Sequence, residues 1–302
     1  MKLLITGAWK YKPQDIAEIE RLGFQCCFHQ DENKPVSKDL FDVDGIICNG
    51  LFLYNDVQKF KNLKFVQLTS AGLDRIPVDY FNGNGIRIMN AAGVYSIPIA
   101  EFVISSVLDF FKKKQLFYES QKDHKWIKQR DVLELNGKTI CIIGCGNVGK
   151  ECARLFKSFN CRILGVDLFS FDSPLFDSLS PIERIKDSLQ VADVVILTLP
   201  LTNETRGLFN SSMLKYMKST TILVNVSRGG IVDTNNLIDA LYNKRIGGAI
   251  LDVFEEEPLN QNSPLWDFDN VLIYPHNSFV GEGNNERLSK LILSNLICIN
   301  CL

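Results

Sequence analysis

The stretch TICIIGCGNVGKECARLFKSFNCRILGVD, residues 139–167, decides the fold of this chain. An apolar run, Ile140–Ile143, leads directly into the glycine-rich segment Gly144–Gly149, and Lys150–Phe159 has the pattern of a helix. A second candidate strand, Arg162–Val166, follows that helix. A strand, a tight turn, a helix and a second strand in this order form a βαβ unit with parallel strands. The stretch therefore predicts an α/β fold built on a parallel sheet.

The glycine-rich segment matches the G-x-G-x-x-G pattern of dinucleotide-binding turns. In that pattern the first glycine makes a tight turn, the second lets the backbone approach a pyrophosphate, and the third lets the helix pack closely on the strand. The first turn of the helix offers unpaired N–H groups to the negative pyrophosphate. The alternative is a βαβ turn that binds no nucleotide. The residues that we expect to bind the dinucleotide are Gly144, Gly146, Asn147, Val148 and Gly149.

Asp167, directly after the second candidate strand, indicates which dinucleotide binds. It lies at about the distance from the glycines at which an acidic residue binds the ribose hydroxyls. A carboxylate at this place would repel the 2′-phosphate of NADP, and no Arg or Lys follows closely after Asp167 to attract one. The sequence therefore predicts NAD as the cofactor.

The alternation of strands and helices continues on both sides of this stretch. Later candidate strands are Val194–Leu197, Thr221–Asn225, Gly248–Leu251 and Val271–Tyr274. Earlier ones are Lys2–Ile5, Phe24–Phe28, Gly45–Cys48, Phe65–Leu68 and Ile86–Met89. Repeated strand–helix units predict two parallel, doubly wound sheets with helices on both faces. The candidate helix Glu282–Asn300 comes after the second sheet is complete, so it could return to pack on the first.

The segment Lys112–Arg130, between the two α/β units, allows two interpretations. It is rich in Lys and Gln and also carries His124 and Trp126. Such a segment could be an arm that contacts a partner, or a helix exposed to solvent. On the residues alone, the exposed helix is slightly favoured.

Length, charge and cysteine content exclude several classes of protein. A chain of 302 residues is long for one domain and comfortable for two. A net charge of -2 gives no basic excess for a nucleic-acid partner, and no apolar run approaches the roughly 20 residues of a membrane helix. The start of the chain lacks the apolar stretch of a signal peptide, so we expect a cytoplasmic protein. Its nine scattered cysteines suit free thiols, and Cys298 and Cys301 lack partners for a metal site, so no metal is expected.

Two charged residues follow predicted strands that point to one edge of the second sheet. Arg228 follows the strand in VNVSRGG, and His276 follows the strand that ends in Tyr274-Pro275. Ligands of open α/β sheets bind beyond the carboxyl ends of the strands. A guanidinium can bind a carboxylate and polarise a ketone oxygen, although a surface ion pair explains Arg228 equally well. Histidine can give the developing alkoxide its proton, although a lone histidine is more often structural.

A third strand end, in LDVFEEEP, carries four acids. Asp252, within the strand end, is better placed to face the cofactor. Three consecutive glutamates usually form a solvated loop, and the residues alone do not choose among Glu255, Glu256 and Glu257. A carboxylate beside His276 would fix the orientation of its ring.

Taken together, these segments resemble the D-isomer-specific 2-hydroxyacid dehydrogenases. The resemblance covers most of the chain, and it is strongest in the stretches Gly137–Asp167, Leu199–Asn210 (LPLTNETRGLFN), Val224–Asp233 (VNVSRGGIVD), Leu251–Pro258 (LDVFEEEP) and Pro275-His276. It implies an NAD-dependent oxidoreductase that interconverts a small D-2-hydroxy acid and its 2-keto acid by hydride transfer. It also implies a homodimer paired through the NAD domain, with Lys112–Arg130 as its arm.

The resemblance assigns roles to individual residues. Arg228 would bind the substrate's carboxylate or keto oxygen, His276 would be the general acid and base, and Glu257, just before proline, would be its partner. Asp252 would lie near the nicotinamide. Further cofactor contacts would come from Leu199, Pro200 and Val226. The substrate would contact the backbone amides of Ala71 and Gly72, the side chain of Tyr95, and Phe279, which stands where the family usually has small residues and could narrow the pocket.

The implied architecture is a Rossmann NAD domain, residues 95–280, inserted into a flavodoxin-like substrate domain, residues 1–94 plus 281–302. One alternative is a non-catalytic NAD(H)-sensing protein of the same fold. Another is a Rossmann oxidoreductase that acts on an amino or imino acid. Residues 1–94 contain no clear basic cluster for a phosphate, which favours glyoxylate, hydroxypyruvate, pyruvate or a branched keto acid over phosphoglycerate.

Overall fold

The structure is a computed structural model that describes residues 1–169 and 172–300. The chain divides into two compact units. One comprises Met1–Tyr95 together with Gly281–Leu302, and the other comprises Ser96–Val280. Tyr95 thus belongs to the first unit and not to the start of the second. Each unit contains a parallel β-sheet with helices, which confirms the predicted α/β fold class.

The described residues form twelve strands and nine α-helices. The strands are β1 (Lys2–Thr6), β2 (Gln25–His29), β3 (Gly45–Cys48), β4 (Phe65–Leu68), β5 (Arg87–Met89), β6 (Thr139–Ile143), β7 (Arg162–Asp167), β8 (Ser178–Pro181), β9 (Val194–Leu197), β10 (Ile222–Asn225), β11 (Gly248–Leu251) and β12 (Val271–Ile273). The α-helices are α1 (Pro13–Arg21), α2 (Val78–Gly83), α3 (Ser96–Phe111), α4 (Lys114–Lys122), α5 (Asn147–Ser158), α6 (Ile185–Leu189), α7 (Ser211–Leu214), α8 (Thr234–Tyr242) and α9 (Asn284–Asn300). Short 3₁₀ helices lie at Lys38–Leu40, Leu51–Leu53, Val57–Lys59, Ile182–Arg184, Gly229–Ile231 and Pro264–Asp267.

The first unit has a sheet of strand order β2-β1-β3-β4-β5, in which all neighbours are parallel. This is the flavodoxin-like order. Strands β3 and β4 are buried throughout, as expected of strands that are covered on both faces. Helix α9 packs here, with Leu288, Ile292 and Leu296 in the core beside Leu3 and Ile5 of β1. The last helix therefore returns to the first unit, as the order of elements had indicated.

The second unit has a sheet of strand order β12-β11-β10-β9-β6-β7-β8, again with parallel neighbours. Counted from β6, this is the Rossmann order extended by one strand. Successive side chains of a strand point to opposite faces, so Val195 and Leu197 enter one core while Val194 and Ile196 enter the other. The second of these cores also contains the buried face of α3, which packs against α5. The apolar runs of the sequence are therefore explained by burial on both faces.

Two elements of the second unit differ from the sequence-based prediction by more than one residue at an end. Strand β8 was not predicted, because Ser178–Pro181 lacks the apolar run of its neighbours. It pairs only with β7 at the edge of the sheet, where a proline is tolerated. Helix α5 begins at Asn147, inside the glycine-rich segment and not after it.

The segment Lys112–Arg130 contains α4, which has no buried residue, and no regular secondary structure follows it up to Arg130. The exposed-helix interpretation therefore describes its first half. Among the helices that the structure describes, none is both long enough and apolar enough to cross a membrane.

Candidate active site

The turn between β6 and α5 requires its first glycine for conformational and steric reasons. Gly144 has a φ of +94°, in the left-handed region that side chains disfavour. A Cβ on Gly144 would also lie 2.6 Å from the backbone N of Leu199. The turn is further tied to the neighbouring strand β9, because the hydroxyl of Thr198 donates to the Gly144 carbonyl at 2.6 Å.

The second and third glycines, Gly146 and Gly149, differ in the space that surrounds them. A Cβ on Gly149 would lie 2.2 Å from the Gly144 carbonyl oxygen, so this glycine allows α5 to pack on the turn. A Cβ on Gly146 would have no heavy atom within 4 Å. This open space lies at the N-terminus of α5, which begins at the next residue. Its unpaired N–H groups and the open space fit the pyrophosphate of a dinucleotide.

The carboxylate of Asp167 lies at the end of β7, beside the same turn. Its Oδ2 accepts the backbone N–H of Cys145 at 2.6 Å, and its Oδ1 accepts the N–H of Leu168 at 2.7 Å. The Cys145 thiol is buried beneath the turn, and burial, followed by the nearby charge of Asp167, raises its pKa to about 12. Cys145 therefore stays an uncharged thiol that fills space under the turn.

The loops after β9 and β10 are bonded to each other. The hydroxyl of Ser227 donates to the carbonyl of Leu199. The side chains of Leu199 and Val226 are buried, whereas Pro200 is exposed. Both loops leave the same carboxyl edge of the sheet as the glycine turn, which places these three predicted cofactor residues at that edge.

Arg228 is held in a turn that Asn225, the buried last residue of β10, organises. The side-chain oxygen of Asn225 accepts the N–H of Ser227 at 3.2 Å, and its amide donates to the carbonyl of Arg228 at 3.1 Å. Gly229 follows, and a Cβ there would lie 1.8 Å from the carbonyl carbon of Phe254. Only glycine therefore allows the Arg228 segment to approach the loop that carries Glu257 so closely.

Glu257 and His276 form a direct pair. The Nδ1 of His276 lies 2.8 Å from Oε2 of Glu257, and Oε1 of Glu257 accepts the N–H of Phe254 at 3.0 Å. Among the three consecutive glutamates, Glu255 instead accepts the N–H of Thr234 at the start of α8. The ring of His276 is thus oriented by a carboxylate whose other oxygen is itself held by the backbone.

The backbone of His276 is held from the neighbouring strand end by Asp252. The Asp252 side chain is fully buried, and its two oxygens accept the N–H groups of Asn277 at 2.8 Å and Ser278 at 3.0 Å. Its carbonyl accepts the N–H of His276 at 2.8 Å. His276 itself has a φ of +52°, a left-handed conformation that disfavours any residue with a Cβ. Asp252 therefore stabilises a strained turn, a role that the sequence-based interpretation missed.

Phe279 lies next to the same histidine. Its ring meets the His276 ring edge to face, with centroids 6.0 Å apart and an interplanar angle of 89°. The side chain is 41% exposed. A large aromatic residue therefore lies against the ring of His276, the candidate proton donor.

Three of the predicted substrate residues lie in the first unit. Ala71 and Gly72 lie in the loop after β4, and Ala71 is exposed. The hydroxyl of Tyr95 donates to the carbonyl of Thr69 at the start of that loop. Tyr95 therefore contacts the same loop as the two predicted amides.

Comparison with known proteins places the chain in a family. The model of the NAD-binding domain of D-isomer specific 2-hydroxyacid dehydrogenases matches residues 104–278. A glyoxylate reductase of Thermofilum pendens is 32% identical over 295 residues, with 91% of this chain and 86% of the relative covered. A glyoxylate reductase of Pyrococcus furiosus is 35% identical over 271 residues, with 85% and 79% covered.

A solved structure is also similar to this chain. A D-isomer specific 2-hydroxyacid dehydrogenase family protein of Aeromonas salmonicida has a TM-score of 0.80 and 27% identity, with 99% of this chain and 94% of that chain covered. The chain belongs to the D-isomer specific 2-hydroxyacid dehydrogenase family, which confirms the resemblance seen in the sequence. It is an NAD-dependent oxidoreductase of that family.

Proposed function

We propose that the chain reduces a small 2-keto acid, with glyoxylate as the first candidate, to its D-2-hydroxy acid with NADH. The observation that carries this proposal is the His276–Glu257 pair at 2.8 Å, at the carboxyl edge of the sheet that also carries the glycine turn and Arg228. A proton donor, its orienting carboxylate and a fixed cation at the edge of one Rossmann sheet suit the reduction of a ketone or an aldehyde.

Each of the three residues has one task in this proposal. NADH supplies the hydride when it is bound. Because Nδ1 of His276 is bonded to Glu257, Nε2 is the ring atom that gives the proton to the developing alkoxide. Glu257 stabilises the charged ring and keeps it oriented. The guanidinium of Arg228 binds the carboxylate and polarises the keto oxygen.

In the first unit, the backbone amides of Ala71 and Gly72 would bind the substrate's carboxylate, and the second unit would hold the cofactor. The N-terminus of α5 and Gly146 would receive the pyrophosphate, and Asp167 would bind the ribose hydroxyls. Because a carboxylate repels a 2′-phosphate, we propose that NADH is used in preference to NADPH. Comparing kcat/KM with the two cofactors tests this preference, and equal values would contradict it.

The substrate proposal rests on the names of two relatives and on Phe279. The relatives are glyoxylate reductases, and a bulky ring against His276 favours a substrate with a small side chain. The decisive experiment measures NADH oxidation with glyoxylate, hydroxypyruvate, pyruvate and a branched keto acid, each with and without ammonia. We expect glyoxylate to give the highest kcat/KM without ammonia.

Other outcomes of that experiment would favour the alternatives. Tight NADH binding without turnover of any acid would indicate an NAD(H)-sensing protein. Turnover only with ammonia would indicate an imino acid substrate. As a control on the chemistry, His276→Ala should remove most reduction and leave NADH affinity within about twofold, and near-normal turnover would contradict the role of His276.

We further propose a cytoplasmic homodimer paired through the second unit. Its support is the segment Lys112–Arg130, where Trp126 is 95% exposed in the single chain and Phe117, Tyr118 and Ile127 are also exposed. Burial of such side chains is the usual source of association free energy. Light scattering of the wild type and of Trp126→Asp tests the pairing: a dimer that becomes a monomer supports it, and a monomeric wild type contradicts it.

A further inference from the structure

The loop Thr69–Leu73, after β4, has an unusual pattern of carbonyl contacts. The carbonyl oxygens of residues 69–72 each accept a hydrogen bond from outside their own peptide. The donors are the Tyr95 hydroxyl to Thr69, the Ala91 N–H to Ser70 at 2.9 Å, the Asn90 amide to Ala71 at 2.7 Å, and the Ser70 hydroxyl to Gly72 at 3.0 Å. The loop is therefore held by contacts to its carbonyls.

The N–H groups of the same loop show the opposite pattern. The N–H of Thr69 donates to the carbonyl of Cys48 at 2.9 Å. The next four N–H groups, residues 70–73, make no hydrogen bond to any part of the chain that the structure describes. Consecutive N–H groups without an acceptor are a site of partial positive charge that suits an anion.

The two patterns are linked by peptide geometry. The carbonyl of one residue and the N–H of the next belong to one planar trans peptide and point in opposite directions. The contact to the Ala71 carbonyl therefore also fixes the direction of the Gly72 N–H. In the same way, the contact to the Thr69 carbonyl fixes the Ser70 N–H. Each of the four unpaired N–H groups belongs to a peptide whose carbonyl is held on the other side.

Asn90 is placed to do this because it follows β5, the neighbour of β4 in the sheet. Its side-chain oxygen accepts the N–H of Ala92 at 3.2 Å while its amide nitrogen donates to Ala71. The side chain thus bridges the loops after two adjacent parallel strands. Both of its polar ends are engaged by the backbone.

We propose that Asn90 is a positioning residue for the substrate's carboxylate, with Tyr95 as a second one. This inference rests on the proposed function, in which the amides of Ala71 and Gly72 bind that carboxylate. Asn90 orients the Gly72 N–H and Tyr95 orients the Ser70 N–H before the anion arrives. Preorganised donors bind an anion more tightly because no ordering is left to be done on binding. Tyr95 acts here through its hydrogen bond to Thr69.

The test is Asn90→Ala, assayed by NADH-linked reduction of glyoxylate and by inhibition with oxamate, a carboxylate-bearing analogue of a keto acid. We expect KM for glyoxylate and Ki for oxamate to rise about tenfold, the effect of one hydrogen bond. We expect kcat within about threefold of wild type, and NADH affinity unchanged. Tyr95→Phe should give the same direction with a smaller change.

Asn84→Ala is the matched control, because Asn84 donates to the Tyr80 carbonyl at 2.8 Å at the end of α2. It removes the same kind of bond outside the loop, so KM and Ki should stay at wild-type values. Equal changes in the two alanine variants would overturn the proposal.

Glyoxal lacks a carboxylate, so comparing kcat/KM for glyoxal and glyoxylate distinguishes a role in carboxylate binding from a merely structural role. A positioning role predicts that Asn90→Ala lowers kcat/KM for glyoxylate about tenfold and leaves that for glyoxal near wild type. Equal losses with both substrates would overturn the inference.

Proline variants separate this inference from the proposed function beneath it. Ala71→Pro and Gly72→Pro each delete one N–H, and the one that keeps the wild-type melting temperature is used. If it leaves the Ki for oxamate unchanged, the loop is not the carboxylate site and both proposals fail. If it raises Ki while Asn90→Ala does not, only the positioning role of Asn90 fails.

Discussion

Asp252→Asn tests whether a buried carboxylate holds His276 in its working conformation. In the wild type both oxygens of Asp252 accept backbone N–H groups of the turn after His276, at 2.8 and 3.0 Å. Asparagine has nearly the same volume, but its amide nitrogen must face one of these two N–H groups. The substitution therefore removes one hydrogen bond without creating a cavity.

The size of the effect follows from that loss. A hydrogen bond to a charged acceptor contributes about 1.5–3 kcal/mol, and the buried N–H left behind adds to the cost. We expect the free energy of unfolding to fall by about 2 kcal/mol, and the melting temperature to fall by roughly 4–8 °C. If the same free energy is lost when His276 is ordered in the transition state, kcat/KM falls about 30-fold.

The assay compares kcat/KM for glyoxylate, NADH affinity and thermal melting in Asp252→Asn and in Asp177→Asn. Asp177 is the control, since its carboxylate accepts the N–H of Ile163 at 2.7 Å near the start of β7. We expect Asp177→Asn to change stability alone and Asp252→Asn to change stability and kcat/KM. If the whole loss for Asp252→Asn lies in NADH affinity, Asp252 acts on the nicotinamide and the reasoning is refuted.

Three further predictions use other parts of the structure. Glu257→Gln should lower kcat roughly 100-fold with little change in NADH affinity, because the charged His276 ring loses its carboxylate. Stopped-flow single turnovers measure the rate of hydride transfer, and a fall of less than threefold would contradict the role of Glu257. Gly146→Val should weaken NADH binding at least tenfold without a large loss of stability, because the open space beside this glycine would be filled. Fluorescence titration with NADH measures the affinity, and a melting curve shows whether the variant has instead unfolded. Burial alone would raise the pKa of Asp193, but its hydrogen bonds to the Lys218 ammonium and the Thr139 N–H hold that pKa below its ordinary value. The stability that this carboxylate contributes is present above about pH 4 and is lost as the pH falls through the folded-state pKa. Asp193→Asn should therefore lower the free energy of unfolding in urea strongly at pH 7 and little near pH 3, and a loss that is independent of pH would refute the reasoning.

The sequence predicted best those strands whose burial is visible as a local run of apolar residues. Strands β3, β4, β9 and β11 have the predicted bounds, because each is a short, largely apolar run that is buried at every residue. Strand β8 lies at the edge and has no such run, so its pairing with β7 is decided by position in the sheet and not by composition. The start of α5 at Asn147 differs for a related reason, since glycine and asparagine are unfavourable in isolated helices and are accepted here by tertiary packing.

The site was predictable only in part because its contacts join residues far apart in sequence. Strand-end position brought Arg228 and His276 to one edge of the sheet. It could not choose among three glutamates, and only the family resemblance selected Glu257. The bond between Asn90 and the Ala71 carbonyl depends on which strands are neighbours in the first sheet. No local pattern in either segment indicates that bond.

Asn225 and Asp252 have the same structural role, which explains why polar residues stand at the ends of two apolar strands. Each is the buried polar group at the end of its strand, and each bonds to backbone groups of the turn that carries Arg228 or His276. Burying a polar side chain is unfavourable unless its hydrogen-bonding groups are satisfied, so these turns are stable only in the conformation that satisfies them. An apolar replacement would remove that restriction and let the turns relax, above all at His276 with its φ of +52°. Asn225 and Asp252 therefore hold the turns of Arg228 and His276 in one conformation through bonds to the backbone alone.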